Sequence, residues 1–205
     1  VAGSVLFGEN QGGLWTSADS KTRITRVDGD VILHTREGYG NTLRTDQNSS
    51  AEISHIGGNV VLGELSASDD GHNTVTDVAG DVRLALGMSA FTESGNSVTG
   101  VRGDVAITGE YSAMNAYDGS ENIIADVAGS VRSDSVSGYM NSGQGGLNAI
   151  TGVAGDVILQ ARGEHDHMVY ASDIARNEIT GVGGNVELGA MYVNQDGVNL
   201  VADIG

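Results

Sequence analysis

Val153-Ala-Gly-Asp-Val-Ile-Leu159 decides the fold, because its pattern, Val-x-Gly-[Asp/Asn/Ser]-Val-x-Leu, returns along the whole chain. Earlier copies are Val1-Ala-Gly-Ser-Val5, Val27-Asp-Gly-Asp-Val31, Ile56-Gly-Gly-Asn-Val60, Val78-Ala-Gly-Asp-Val82, Val101-Arg-Gly-Asp-Val105 and Val127-Ala-Gly-Ser-Val131. Val182-Gly-Gly-Asn-Val186 follows, and Ile204-Gly205 opens a further copy. Taking the glycine of each copy as a marker, the spacings are 26, 29, 22, 23, 26, 26 and 29 residues. A period of this length marks a solenoid, in which each repeat buries its apolar face only against its neighbours.

The columns around the marker are tight. Three residues before the leading Val stands Ile24, Ile53, Val75, Val98, Ile124, Ile150, Ile179 or Val201. Four residues after it stands another Val, and two further on Phe7, Leu33, Leu62, Leu84, Ile107, Leu159 or Leu188, with Ser133 as the exception. Polar residues alternate with these, as in Val82-Arg-Leu84. Period two with β-branched residues predicts strands, and no stretch carries a helical stripe. Short strands in every repeat, with no helix to cross over, predict an all-β parallel β-helix of about eight coils of 22–29 residues, right-handed on the base rate for parallel crossovers. At ~4.8 Å per rung the rod would be roughly 40 Å long. The three-residue step from Val75 to Val78 breaks the alternation and predicts a corner at Thr76-Asp77.

A second column lies five residues before the leading Val: Asn73, Asn96, Asn122, Asn148, Asn177 and Asn199, with Thr22 and Ala51 in the first two coils. Stacked Asn side chains predict an amide ladder along the axis, and Asn also suits a left-handed turn. The marker Gly is expected on the inward phase, where the strand bends or packs closely. Shifting the chain by 126 residues superposes Val1-Ala-Gly-Ser-Val5 on Val127-Ala-Gly-Ser-Val131 and repeats the spacings 26 and 29 in order. One domain over 1–205 is expected, with 1–126 a five-coil block and 127–205 a partial second copy. The chain starts inside one copy of the motif and stops inside another. Self-association end to end, or a longer parent solenoid, is therefore expected, since open solenoid ends need caps.

Composition narrows the function. The 205 residues carry 27 acids against 10 Lys and Arg, a net charge of −17, which disfavours nucleic acid and anionic membranes as partners. There is no Cys and no Pro, aromatics make up 4%, and no stretch is apolar enough to span a membrane. The core must be thin and built from Val, Ile, Leu and Ala.

Several constellations invite chemistry. Arg102-Gly103-Asp104 is an integrin-type tripeptide, but the repeat itself demands Gly-Asp there. Ser4, Asp30, Asn59, Asp81, Asp104, Ser130, Asp156 and Asn185 follow the markers and should face outward. Calcium takes such oxygens, yet the nonapeptide Gly-Gly-x-Gly-x-Asp signature is absent, so a solvated ladder is favoured and no cofactor is predicted. Glu164-His165-Asp166-His167 sets two His at i and i+2 without a third ligand nearby. Asp69-Asp70 and the pair Asp118, Glu121 offer carboxylates of the kind glycosidases use, scattered as an acidic chain would scatter them. The column Thr25, Ser54, Thr76, Thr99, Thr151 and Thr180 has gaps at Ala125 and Ala202 and only one Thr per coil, which argues against an ice-binding array.

The repeat columns resemble those of secreted β-helix proteins such as filamentous-haemagglutinin-like adhesins and other repetitive bacterial surface proteins. The resemblance implies a non-enzymatic extracellular or cell-surface fibre, possessing no catalytic residues, that contacts host or surface glycans or proteins. The arcs Gly8–Lys21, Thr35–Ser50, Leu86–Gly95, Glu110–Ser120, Asp134–Leu147 and Ala161–Arg176 would supply those contacts. The rival is a phage tailspike-type or secreted polysaccharide-cleaving β-helix enzyme.

Overall fold

The computed structural model describes residues 1–7, 13–33, 42–108, 113–133, 139–160 and 168–205. Every regular element among them is a β-strand, and every strand pair is parallel. The protein is a parallel β-solenoid. We number its coils by their marker glycines, from Gly3 in coil 1 to Gly184 in coil 8.

Each coil has three sides. A short arm carries Val-x-Leu, as at Val105–Ile107. A middle arm follows, as at Ala113–Tyr117, and then a seven-residue long strand, as at Glu121–Val127. The long strands stack in one eight-stranded sheet, and the other two sides form a fourteen-stranded sheet. In coils 3 and 4 the short and middle arms run on as single strands, Val60–Ser68 and Val82–Phe91. In coil 8 only Gly189 separates them, and in the remaining coils a longer connection does. The arcs expected to be variable are therefore only half so, because their later residues form the regular middle arm. Extra residues enter between the short and middle arms. From the middle arm onward every coil keeps the same count.

That constant count reveals an apolar column beyond those around the marker. Leu14, Leu43, Leu65, Met88, Met114, Met140, Val169 and Met191 pair rung to rung, each eight residues before the Asn column. Together with the Val, Ile and Leu columns they fill the interior. Leu33, Ile53, Leu62, Leu84, Val98, Ile124 and Ile150 are fully buried. A buried Leu or Ile contributes ~1.5–3 kcal/mol, and identical residues one rung apart fit without a search for shape.

The corner expected at Thr76-Asp77 is present. Asp77 has φ 54°, and the same position takes φ 53–65° at His55, Gly100, Asp126, Gly152 and Gly181. This left-handed step turns the chain inside the long strand and returns the next Val to the core, so Val75 and Val78 are both buried. A second turn joins the middle arm to the long strand through two consecutive left-handed residues, such as Asp69 and Asp70 at φ 50° and 60°. Asp and Asn tolerate this backbone best among residues with a Cβ.

Two expectations are corrected. The marker glycines lie half-exposed in the turn before the short arm, not on the inward phase. Their need is close approach. A Cβ at Gly103 would stand 2.2 Å from Asp81 Oδ1 and 2.7 Å from the Gly80 carbonyl oxygen. The Asn column sits within the long strands at ordinary strand dihedrals, and the left-handed positions belong to other residues.

Candidate functional surface

Two polar ladders run along the axis, and they set what remains free on the surface. The first is the Asn column. Asn73, Asn96, Asn122, Asn148 and Asn177 are 0–1% exposed. Each Nδ2 donates twice. Asn96 donates to Asn122 Oδ1 at 2.9 Å and across its own coil to the Ser89 carbonyl at 2.8 Å. Asn122 does the same to Asn148 Oδ1 and the Asn115 carbonyl, and Asn148 to Asn177 Oδ1 and the Asn141 carbonyl. Asn177 reaches Asn199 and Tyr170, and Asn199 donates to the Tyr192 carbonyl. The ladder thus anchors the middle arm from behind.

The second ladder follows the markers. The Asp104 N–H donates to Asp81 Oδ1 at 3.0 Å, and the Ser130 N–H donates to Asp104 Oδ1 at 2.7 Å. The same bond links Asp30 to Ser4, Asn59 to Asp30, Asp81 to Asn59, Asp156 to Ser130 and Asn185 to Asp156. Asp, Asn and Ser each carry an acceptor oxygen within two bonds of Cβ, and this contact requires one. The adjacent glycine leaves the space through which that oxygen reaches. The solvated ladder expected from sequence is therefore a hydrogen-bonded one. Among the described residues no group of three His, Cys, Asp or Glu is placed to hold a metal.

These ladders also settle the geometry of other candidates. Asp104 of the Arg-Gly-Asp tripeptide accepts the Ser130 N–H, and Gly103 is packed on Asp81, so the tripeptide is a rung of the ladder. Asp69, Asp70 and Asp118 are left-handed turn residues, and Glu121 opens a long strand. Glu164-His165-Asp166-His167 lies outside the described residues. In the Thr column, Thr99 donates to Thr76 at 3.2 Å and Ser54 to Thr25 at 3.1 Å.

One face that the ladders leave free is the outward face of the middle arm. One column there reads Trp15, Arg44, Ser66, Ser89, Asn115, Asn141, Tyr170 and Tyr192. Beside it, Ser68, Phe91 and Tyr117 stand in register, with Gly143 and Ser172 continuing the line. The Phe91 and Tyr117 rings stack at 5.8 Å and 1°, and those of Tyr170 and Tyr192 at 5.6 Å and 9°. Tyr117 lies on Gly143, where a Cβ would come within 2.8 Å of its ring, and its hydroxyl accepts a hydrogen bond from Asn141 Nδ2. Asn141 Oδ1 is buried and has no partner.

The two ends of this face differ. In coils 1–3 it is charged. Arg44 sits 5.4 Å over the Trp15 ring, and Trp15 Nε1 donates to Asp46 Oδ2 at 3.1 Å. Burial pushes the Glu64 carboxyl above its ordinary value, against the opposing pull of a Ser89 hydrogen bond and the Arg44 charge. Asp46 and Glu64 lie four residues apart along neighbouring strands, about 13 Å. Glycosidase carboxylates stand roughly 5–9.5 Å apart. From coil 4 to coil 8 the described outward positions carry no charged side chain, in a chain with 27 acids.

The middle-arm face went unnoticed in the sequence, though it left a signal. Trp15, Tyr170 and Tyr192 stand seven residues before the Asn-column position, and Phe91 and Tyr117 five before it. Counting backwards from the Asn column, rather than forwards from the marker, exposes both offsets. No protein family, no curated protein and no solved structure matches the chain.

Proposed function

We propose that the chain is a non-catalytic, extracellular segment of a surface fibre, rigid along its axis and adhesive through its middle-arm face. The observation that carries this reading is that the recurring polar residues bond to the equivalent residue one rung away. Asn96 meets Asn122, Asp81 meets the Asp104 N–H, and Thr99 meets Thr76. Such bonds stiffen a rod, and any further coil of the same pattern extends them without a new kind of contact. A second copy or a continuing chain is accommodated in this way, and self-association end to end is part of the proposal.

Electron microscopy of the native material tests it. Continuous thin rods are the expected result, and discrete particles of fixed length would overturn the fibre reading. Incubation with surface polysaccharides is the companion experiment. New reducing ends, lost on replacing Asp69 together with Asp70, or Asp118 together with Glu121, would establish the polysaccharide-cleaving alternative instead.

A further inference from the structure

We propose that the middle-arm face of coils 4–8 binds a neutral glycan chain laid along the rod axis. This rests on the non-catalytic, adhesive reading above and names its ligand class. The first ground is charge. Ser89, Phe91, Asn115, Tyr117, Tyr170 and Tyr192 present rings, an amide and hydroxyls without one ionised group. On a molecule of net charge −17, an uncharged strip favours an uncharged ligand, since acidic glycans meet repulsion on approach.

The second ground is exposed carbon. Phe91, in the middle of the rod, keeps 40% of its surface in water. Aromatic rings flanked by a few polar groups suit ligands with apolar and hydroxylated faces, as pyranose rings are.

The third ground is strain. Ile174 is 79% exposed and has φ 66°, in the turn just beyond Tyr170 and Ser172. A β-branched residue in the left-handed region costs ~1–2 kcal/mol, and water gives it no apolar contact in return. The same turn holds Gly119 and Gly145 in coils 5 and 6, which carry no such cost. An exposed, strained Ile at the rim of an aromatic face fits a contact made only with a ligand.

The test is native affinity electrophoresis of the full chain in gels containing hydroxyethylcellulose, xyloglucan or galactomannan, with alginate and polygalacturonate as acidic counterparts. Retardation by at least one neutral polymer is expected, weakened by about tenfold in Phe91→Ala and in the near-isosteric Asn115→Asp. Ile174→Asn separates binding from folding. It should weaken retardation while raising the unfolding midpoint, which a purely structural role would not do. Glu178→Gln, on the long strand, should leave retardation unchanged. Retardation by acidic polymers alone would overturn the proposal. So would mobility unaffected by every polymer, the outcome if the face takes a protein instead. Either failure leaves the rod and its microscopy untouched.

Discussion

Coils 1 and 2 and coils 3–8 solve the same interior problem with different residues. In coils 4, 5 and 7 a buried Asn faces a small inward residue on the middle arm: Asn96 with Ala90, Asn122 with Ala116, Asn177 with Ala171. In coils 1 and 2 the small residue is replaced by Thr16 and Thr45, and the Asn by Thr22 and Ala51. Thr16 donates to Thr22 at 2.7 Å, so coil 1 is satisfied within itself. Coil 2 is not: Thr45 Oγ1 is buried without a partner, and above it Asn73 Oδ1 is too. One ladder therefore starts at Asn73 with an open acceptor. The difference teaches that in the buried coils 3–7 the ladder goes with a small inward residue on the middle arm, Ala or Ser, where coils 1 and 2 carry Thr.

Four sets of substitutions probe this contrast, from large effect to small. Asn122→Ala interrupts the ladder in its middle, removing the acceptor for Asn96 and the donor to Asn148 and the Asn115 carbonyl. The expected loss is roughly 3–5 kcal/mol in a urea titration, against about 1 kcal/mol for Thr22→Ala. Equal losses would show the amide column to be no more than spacing. Gly29→Ala and Gly103→Ala should each cost about 1–3 kcal/mol, alike in both regions, because each Cβ would meet a side-chain oxygen of the preceding coil at 2.2–2.5 Å. A cost confined to one region would mean the second ladder is not uniform.

The double substitution Ala51→Asn with Thr45→Ala should extend the ladder downward by one rung. The new amide would donate to Asn73 Oδ1 and to the Arg44 carbonyl, and stability should rise by about 1 kcal/mol. Ala51→Asn alone should gain less or lose, since Thr45 still occupies the space. Glu64→Gln is the smallest change, at the border of the two regions. Burial raises the Glu64 folded pKa above its ordinary 4.5, so the folded state favours the neutral form. That favourable contribution is complete below pH 4.5 and is lost as pH rises through the raised value. The variant should therefore exceed the parent in unfolding midpoint at neutral pH and converge with it in acid. A constant difference across pH would remove burial as the cause.

Much of the rod was legible because a solenoid repeats its instructions. The Val and Leu columns, the corner at Asp77 and the Asn ladder each follow from one spacing seen several times. The marker glycine was legible as a requirement but not as a reason. Its steric partner, Asp81 for Gly103, lies 22 residues earlier and in another coil. The middle arm was hidden for a different cause. Its distance from the preceding marker changes from coil to coil, so forward counting scatters Met88, Met114 and Val169 into unrelated positions. The candidate surface shares that arm and was lost with it. Glu64 is likewise silent in sequence, because only the packing around it removes water from the carboxylate.

The sequence by itself determined the period, the strands, the inward apolar columns and the stacking of like on like, since these depend on alternation and local backbone preference. The tertiary structure alone decided which polar atoms are consumed and which stay free. Closing the coils brings the Asp81 oxygen to the Asp104 N–H, lays Tyr117 on Gly143 and leaves Asn141 Oδ1 without a donor. Each of those contacts joins residues more than twenty positions apart, or the lack of one, at distances only the stacked rungs define.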